Sequence, residues 1–141
     1  MHLEKLKELC DIVADILDGE GSVTEDGVCL IQRLRDLNFT IDRVPTRSPL
    51  VRPQFFSFEF RDGRVLNLGE TVLLEEEINP LLTELRKRDI TVTAIHNHWL
   101  FDEPRAMYMH FQSTDDDPIV FAKKVAAALK VLDRSDRRRR F

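Results

Sequence analysis

The sequence predicts an α+β protein, a two-layer sandwich in which a mainly antiparallel β-sheet is covered by helices. Two observations support this fold class. Segments rich in β-branched, aromatic and aliphatic residues occur in two groups, with amphipathic helical segments before, between and after them. Short turn signals separate neighbouring strand segments, which is typical of antiparallel pairing. Helices packed on such a sheet bury its apolar face.

The first half of the chain predicts one helix and four strands. Apolar residues recur every three or four positions over residues 3–17 and form one stripe on a helix, which Asp18-Gly19 ends. The strong hairpin signal Asp62-Gly63 joins the last two strands. The three prolines of Pro45–Pro53 predict a stiff, extended surface loop. The four strands are predicted at Val28–Leu34, Phe39–Val44, Phe55–Phe60 and Arg64–Leu68.

The second half predicts a helix, a hairpin and a final helix. Glu75-Glu76-Glu77 opens the helix Ile78–Arg88, and Pro80 fits its first turn. Asp115–Asp117 is predicted to cap the final helix. Two strands and the turn between them are predicted at Thr91–Trp99, Phe101–Pro104 and Ala106–Phe111.

Composition and charge restrict the functional classes. The 141 residues, 43% hydrophobic and 33% charged, suit one core and exclude global disorder. A single domain is predicted over residues 1–132. The net charge is −4, and the five Arg and two Asp of residues 133–141 contribute +3, which leaves −7 on the rest. Such an acidic body is not typical of nucleic-acid binding. Residues 133–141 are predicted to be a basic, disordered tail.

The predicted location is the cytoplasm, with no membrane partner. No apolar run approaches the roughly 18 residues of a transmembrane helix, and the first residues lack the apolar segment of a signal peptide. Cys10 falls on the stripe of the first helix and Cys29 in a strand. We interpret both as free core thiols in a reducing compartment.

Three of the four histidines fall within fifteen consecutive residues, at His96, His98 and His110. If Leu100 pairs with Ala106 at the end of the predicted hairpin, His96 lies opposite His110 and the three imidazoles share one face. Such a set suits a divalent transition metal, and Zn, Mn, Fe or Ni is the expected cofactor.

Glu103, five residues after His98, is the natural fourth ligand of this metal site. The alternative to a metal site is a polar hairpin whose imidazoles bond to neighbours or to an anion, with Glu103 pairing with Arg105 in a turn.

The opposite face of this hairpin is predicted to face the core. It carries Ile95, Asn97, Trp99, Met107, Met109 and Phe111.

Several motifs resemble the LppY/LpqO family, a domain-of-unknown-function family (DUF1259). They are VLLEEEINP at 72–80, VTAIHNH at 92–98, DEPR at 102–105 and HF at 110–111. The family's pattern is close to LLE-x-E-x-NP, VTA-x-H-x-H, EPR and HF. The likeness is specific over residues 66–132 and weaker over 20–45. The resemblance implies one site formed by Glu75, Glu77, Asn79, His96, His98, Glu103, Arg105 and His110.

The family resemblance implies no reaction, because the family has no established activity. Its typical members are longer and carry two such units, so this chain would be a single unit. A partner surface, and hence a homodimer, is expected on that ground.

Roles within this site follow from the chemistry of the side chains. The predicted metal ligands are His96, His98, Glu103 and His110. The predicted catalytic residues are Glu75 and Glu77, as a base or an orienter, and Arg105, which would hold an anionic group. The glutamates also fit a simpler role at a helix N-terminus.

Three functions remain open. One is a metal-dependent hydrolase or lyase acting on a small polar molecule, with a metal-bound water as nucleophile or base. The second is a non-catalytic module that senses or binds a metal or ligand. The third is a metal-free interaction domain whose histidines bind an anion or a protein partner.

Overall fold

The structure, a computed structural model, describes the backbone of residues 2–139 and the side chains of residues 2–133. The described chain forms three α-helices, one short 3-10 helix and nine strands. They are α1 (Leu3–Leu17), β1 (Glu20–Val23), β2 (Val28–Leu34), β3 (Phe39–Ile41), β4 (Val44–Thr46), β5 (Pro53–Arg61), β6 (Arg64–Leu74), a short 3-10 helix (Glu75–Glu77), α2 (Ile78–Lys87), β7 (Thr91–His96), β8 (Asp102–Glu103), β9 (Ala106–Thr114) and α3 (Pro118–Arg139).

Six strands form the main sheet in the order β1-β2-β5-β6-β9-β7, and β4-β3-β8 form a second, smaller sheet. Every strand pair is antiparallel. The predicted α+β class, a mainly antiparallel sheet covered by helices, is therefore confirmed. The small sheet was not predicted, because β8 pairs with the distant β3 instead of extending the hairpin.

The two faces of the main sheet are buried differently. The apolar stripe of α1, with α2 and α3, packs on one face, where Phe56, Phe58, Met109 and Phe111 are at most 2% exposed. Burying a side chain of this size contributes about 1.5–3 kcal/mol. The small sheet covers only part of the other face, over a second apolar cluster that includes Tyr108. The rest of that face stays accessible.

Local signals located most elements correctly. The structure confirms α1 over residues 3–17 and the Asp62-Gly63 hairpin, whose two turn residues have φ of 52° and 75°. Asp117 caps α3 by accepting a hydrogen bond from the Ile119 N–H at 2.8 Å. The predicted loop Pro45–Pro53 is shorter than expected, because β4 and β5 take its two ends. The strand β1 was not predicted.

The interpretation of the cysteines as free thiols is wrong. Cys10 of α1 and Cys29 of β2 form a disulfide, with Cα atoms 5.6 Å apart. Both side chains are buried, as predicted, but their pairing depends on where α1 crosses β2, which no local pattern shows. Disulfides persist mainly in oxidising compartments, so the prediction of a reducing cytoplasm loses its support.

Among the described residues, no helix combines the length and apolar character that a membrane crossing needs. The backbone of α3 is helical through Arg139. The predicted disordered tail, 133–141, falls mostly on residues whose side chains lie outside the described part of the chain. The division into a domain and a tail therefore stays a prediction.

Candidate metal site

Strand β9 lies between β6 and β7 and brings the histidines together. His110 of β9 lies opposite Ala94, and His96, the last residue of β7, lies opposite Tyr108. The predicted register, with His96 opposite His110, is therefore wrong by two residues. A shift of two preserves the face of every side chain, so the histidines still converge.

The three imidazoles form one compact cluster. The Nε2 atoms of His96 and His110 are 2.9 Å apart, and their rings stack with centroids 4.9 Å apart. The ring of His98 lies 4.7 Å from that of His96. One donor atom from each histidine lies within 4.8 Å of the others. Two imidazole nitrogens on one tetrahedral zinc ion lie roughly 3.4 Å apart, so small side-chain shifts would suffice for coordination.

A buried tyrosine supports His98. The rings of His98 and Tyr108 stack at 3.8 Å with an interplanar angle of 6°. The Tyr108 hydroxyl accepts a hydrogen bond from Trp99 Nε1 at 2.7 Å and donates to the Val51 carbonyl at 3.3 Å. These bonds fix the ring on which His98 rests, although His98 follows the end of β7.

The predicted core face of the hairpin is only partly correct. Met109 and Phe111 are buried against the helices, as predicted. Ile95 is 37% exposed, and Trp99 packs against the second cluster on the opposite face. Trp99 differs because the chain leaves β7 after His96, so strand alternation no longer applies there. Ile95 lies within β7, the edge strand of the main sheet.

Electrostatics keeps His98 available as a ligand. Partial burial lowers the pKa of His98, and the nearby His96 lowers it further, while Glu70 opposes the shift. A lowered pKa leaves the imidazole neutral at neutral pH, with a lone pair for a metal. Burial also raises the pKa of Tyr108, so that its hydroxyl remains protonated beside the cluster.

Glu70 is the carboxylate that sequence reasoning missed. It pairs directly with His110 across β6 and β9, and its Oε1 lies 3.8 Å from His110 Nε2. The signal was the alternation of Leu68, Glu70 and Val72, which places one carboxylate on the face shared with the histidines. The predicted strand ends at Leu68, two residues before Glu70, whereas β6 continues to Leu74.

Glu103 is not brought to the histidines by any described contact. It lies in β8 opposite Thr40, on the small sheet, and is exposed. The alternative pairing of Glu103 with Arg105 is also not observed, because Arg105 pairs with Glu75 instead. The role of Glu103 as a ligand stays a prediction.

Among the described residues, no hydrogen bond or ion pair joins the three predicted catalytic residues to the histidine cluster, and their catalytic role stays a prediction. Arg105 Nε and Glu75 Oε1 are 3.6 Å apart and exposed, at the end of β6 and β9. Arg105 directly precedes β9, and five residue steps separate it from His110 along the chain. Glu77 is buried and binds the Arg35 guanidinium through both carboxylate oxygens, at 2.7 and 2.8 Å. The structure thus gives Glu77 an architectural partner.

Comparisons with known proteins identify a family and no more. The sequence model of a family described as Domain of Unknown Function (DUF1259) matches residues 11–131. This match covers most of the chain and confirms the resemblance to DUF1259, and the finer name LppY/LpqO is compatible with it. Comparisons with curated proteins and with solved structures found no significant match.

Proposed function

We propose that this chain, which belongs to the DUF1259 family of unknown function, binds a divalent transition metal through His96, His98 and His110. The observation that carries the proposal is the placement of one donor atom from each histidine within 4.8 Å of the others. Imidazole suits Zn, Mn, Fe and Ni alike, so the chemistry of the donors leaves the choice among them to experiment.

Glu70 is the carboxylate we add to this site, in the role predicted for Glu103. Its Oε1 lies 3.8 Å from His110 Nε2, whereas two donors on one ion lie roughly 3.0–3.4 Å apart. A side-chain movement that brings this oxygen to a similar distance from all three donor nitrogens would make it a fourth ligand. Its negative charge also offsets the charge of a divalent ion on a partly exposed face.

Exposure supports an enzyme over a purely structural site. His96 and His98 are exposed and His110 is partly exposed, so solvent or substrate can reach a bound ion. Catalytic metal sites keep such an open position, whereas structural sites are closed by protein ligands. We therefore propose a metal-dependent hydrolase or lyase acting on a small polar molecule. The metal would supply a water of lowered pKa, and the histidines and Glu70 would hold it in place.

The position of Glu70 beside His110 favours the alternative function, a non-catalytic metal- or ligand-sensing module. If Glu70 joins the three histidines around zinc, four protein ligands fill a tetrahedral site. An octahedral ion such as Mn²⁺ would keep open positions with the same four ligands. The coordination number of the bound ion therefore separates the two functions.

The test is elemental analysis of untagged protein before and after addition of each of the four ions. We expect about one metal per chain, falling below about 0.2 in His96→Ala, His98→Ala and His110→Ala, each of which still folds. The matched control is His2→Ala, because His2 is exposed and lies outside the cluster. Less than about 0.2 metal per chain in the unmodified protein with every ion would contradict the proposal.

Two further variants test which carboxylate, Glu70 or Glu103, is the additional metal ligand. Glu70→Gln should weaken metal binding by about 10–100-fold, while Glu103→Gln should leave it unchanged. The reverse result would return the ligand role to Glu103. Absorption or X-ray spectroscopy of the loaded protein then gives the number of protein ligands, which decides between an open and a closed site.

A further inference from the structure

One row of directly paired residues crosses the whole main sheet and contains the site. The pairings join Glu20 to Gln32, Gln32 to Phe55, Phe55 to Glu70, Glu70 to His110 and His110 to Ala94. Directly paired residues of antiparallel strands project from the same face. This face is the one that the helices leave uncovered, because Phe56 and Phe111, the next residues along, face the helices.

The spacing between strands sets the distances between the residues of this row. Neighbouring strands lie about 4.8 Å apart, so Phe55 is about 10 Å and Gln32 about 14 Å from His110 across the sheet. Phe55, Glu70 and His110 are each partly exposed, so the path between them is accessible from solvent.

A covered region runs along one side of this row. Two residues further along β6 and β9, Val72 and Tyr108 are fully buried beneath the second apolar cluster. The segment before β5 contributes to this cover, because Val51 belongs to the cluster and its carbonyl accepts from the Tyr108 hydroxyl. The second apolar cluster and the segment before β5 therefore rise beside this row of residues. We call the row the cross-sheet groove, and its floor consists of His110, Glu70, Phe55 and Gln32.

A pocket of about 650 Å³ opens at the end of the groove that is remote from the histidines. Its volume falls within the range of about 300–1,000 Å³ that small-molecule sites occupy. Phe55, Leu34 and Pro49 give it an apolar surface, and Glu20 and Gln32 add polar groups at its edge. Phe55 and Gln32 thus belong both to the pocket and to the row that contains His110.

We propose that the cross-sheet groove binds one elongated, amphipathic small molecule. Its metal-binding polar group would lie at the histidines, and an apolar ring or chain would lie on Phe55, about 10 Å away. The middle of the molecule would pass Glu70, so a neutral or hydrogen-bond-donating segment fits there and an anionic one does not. This inference rests on the proposed metal site and adds the substrate class.

Hydroxamates of two lengths test the groove on the metal-loaded full chain. Acetohydroxamate presents only the chelating group, whereas a hydroxamate carrying a phenyl ring on a five-methylene chain reaches about 10 Å further. Isothermal titration calorimetry should show the longer probe binding at least about tenfold more tightly, because its ring and chain bury apolar surface. Metal content is measured on the same samples.

The variant Phe55→Ala tests whether the higher affinity of the long probe depends on the Phe55 side chain. It should reduce the advantage of the long probe to less than about threefold and leave the affinity for acetohydroxamate unchanged. The matched control is Ile12→Ala, which removes an exposed apolar side chain from α1, on the helical side of the sheet. The control should preserve the full advantage of the long probe.

The outcomes separate this inference from the metal site itself. If the protein binds metal and acetohydroxamate but the long probe gains nothing, or if Phe55→Ala leaves its gain intact, the groove proposal is wrong and the metal site stands. If the protein takes up no metal, both proposals fall. If Phe55→Ala instead converts a dimer into a monomer in analytical ultracentrifugation, the face belongs to a second copy and the groove proposal is overturned.

Discussion

Two glutamates that lie close together in the sequence, one within β6 and one just after it, have opposite surroundings. Glu77, just after β6, is 2% exposed, binds Arg35 through both oxygens and accepts the Leu74 N–H at 2.8 Å. Glu70, within β6, is partly exposed and contacts His110 at 3.8 Å. A carboxylate whose oxygens are fully used by buried partners holds the chain together. A carboxylate beside exposed imidazoles retains lone pairs for a ligand. Membership in a family motif, which Glu77 has, does not separate these roles.

Glu77→Gln should have the largest effect on folding and none on the metal. Loss of its charge weakens both hydrogen bonds that Glu77 accepts from the buried Arg35 guanidinium, and breaking such a buried pair costs about 3–5 kcal/mol of unfolding free energy. Urea denaturation measures this cost, and elemental analysis measures the metal. The matched variant is Arg35→Met with Glu77→Leu, which should recover part of the loss by removing both charges. A metal content that falls in the still-folded protein would instead place Glu77 in the functional site.

Sequence patterns predicted most of the elements and the convergence of the histidines, but not β1, the small sheet or the register of the hairpin. Alternation fixes which side chains share a face, and a two-residue error leaves that unchanged. The segment between β7 and β9 is also not a simple turn, because β8 pairs with β3, a contact made across some sixty residues of chain. Pairing between distant segments leaves no signal in the local sequence pattern. The Cys10–Cys29 disulfide also joins separate elements and leaves no such signal.

Glu70 was missed for a different reason. Gly69 precedes it, and a glycine in a strand pattern suggests an interruption. In the structure β6 continues without a break, and the ring of Phe111 lies across Gly69 so closely that an added Cβ would come within 2.1 Å of it. The glycine therefore admits an aromatic neighbour instead of ending the strand. Because β6 continues through Gly69, the alternation of its side chains extends to Glu70.

Met109→Ala sharpens the contrast between the two faces of β9. Met109 is fully buried against the helices, while its neighbour His110 faces the groove. Removing the Met109 side chain should cost about 2–5 kcal/mol of unfolding free energy and leave the metal content at its original value. His110→Ala should do the opposite, with loss of metal and a small change in stability. Denaturation and elemental analysis of both variants provide the comparison. Behaviour of Met109→Ala like that of a surface substitution would show that the face assignment is wrong.

The smallest effects should come from the exposed pair of Glu75 and Arg105. Their side chains are 60% and 69% exposed, and such pairs contribute about 0–1 kcal/mol because water and salt screen them. Arg105→Ala and Glu75→Gln should therefore change the unfolding free energy and the affinity for metal very little, as denaturation and metal titration would measure. A loss of metal affinity above about tenfold in either variant would contradict this. It would mean that these two motif residues, which flank the paired ends of β6 and β9, act on the histidine cluster.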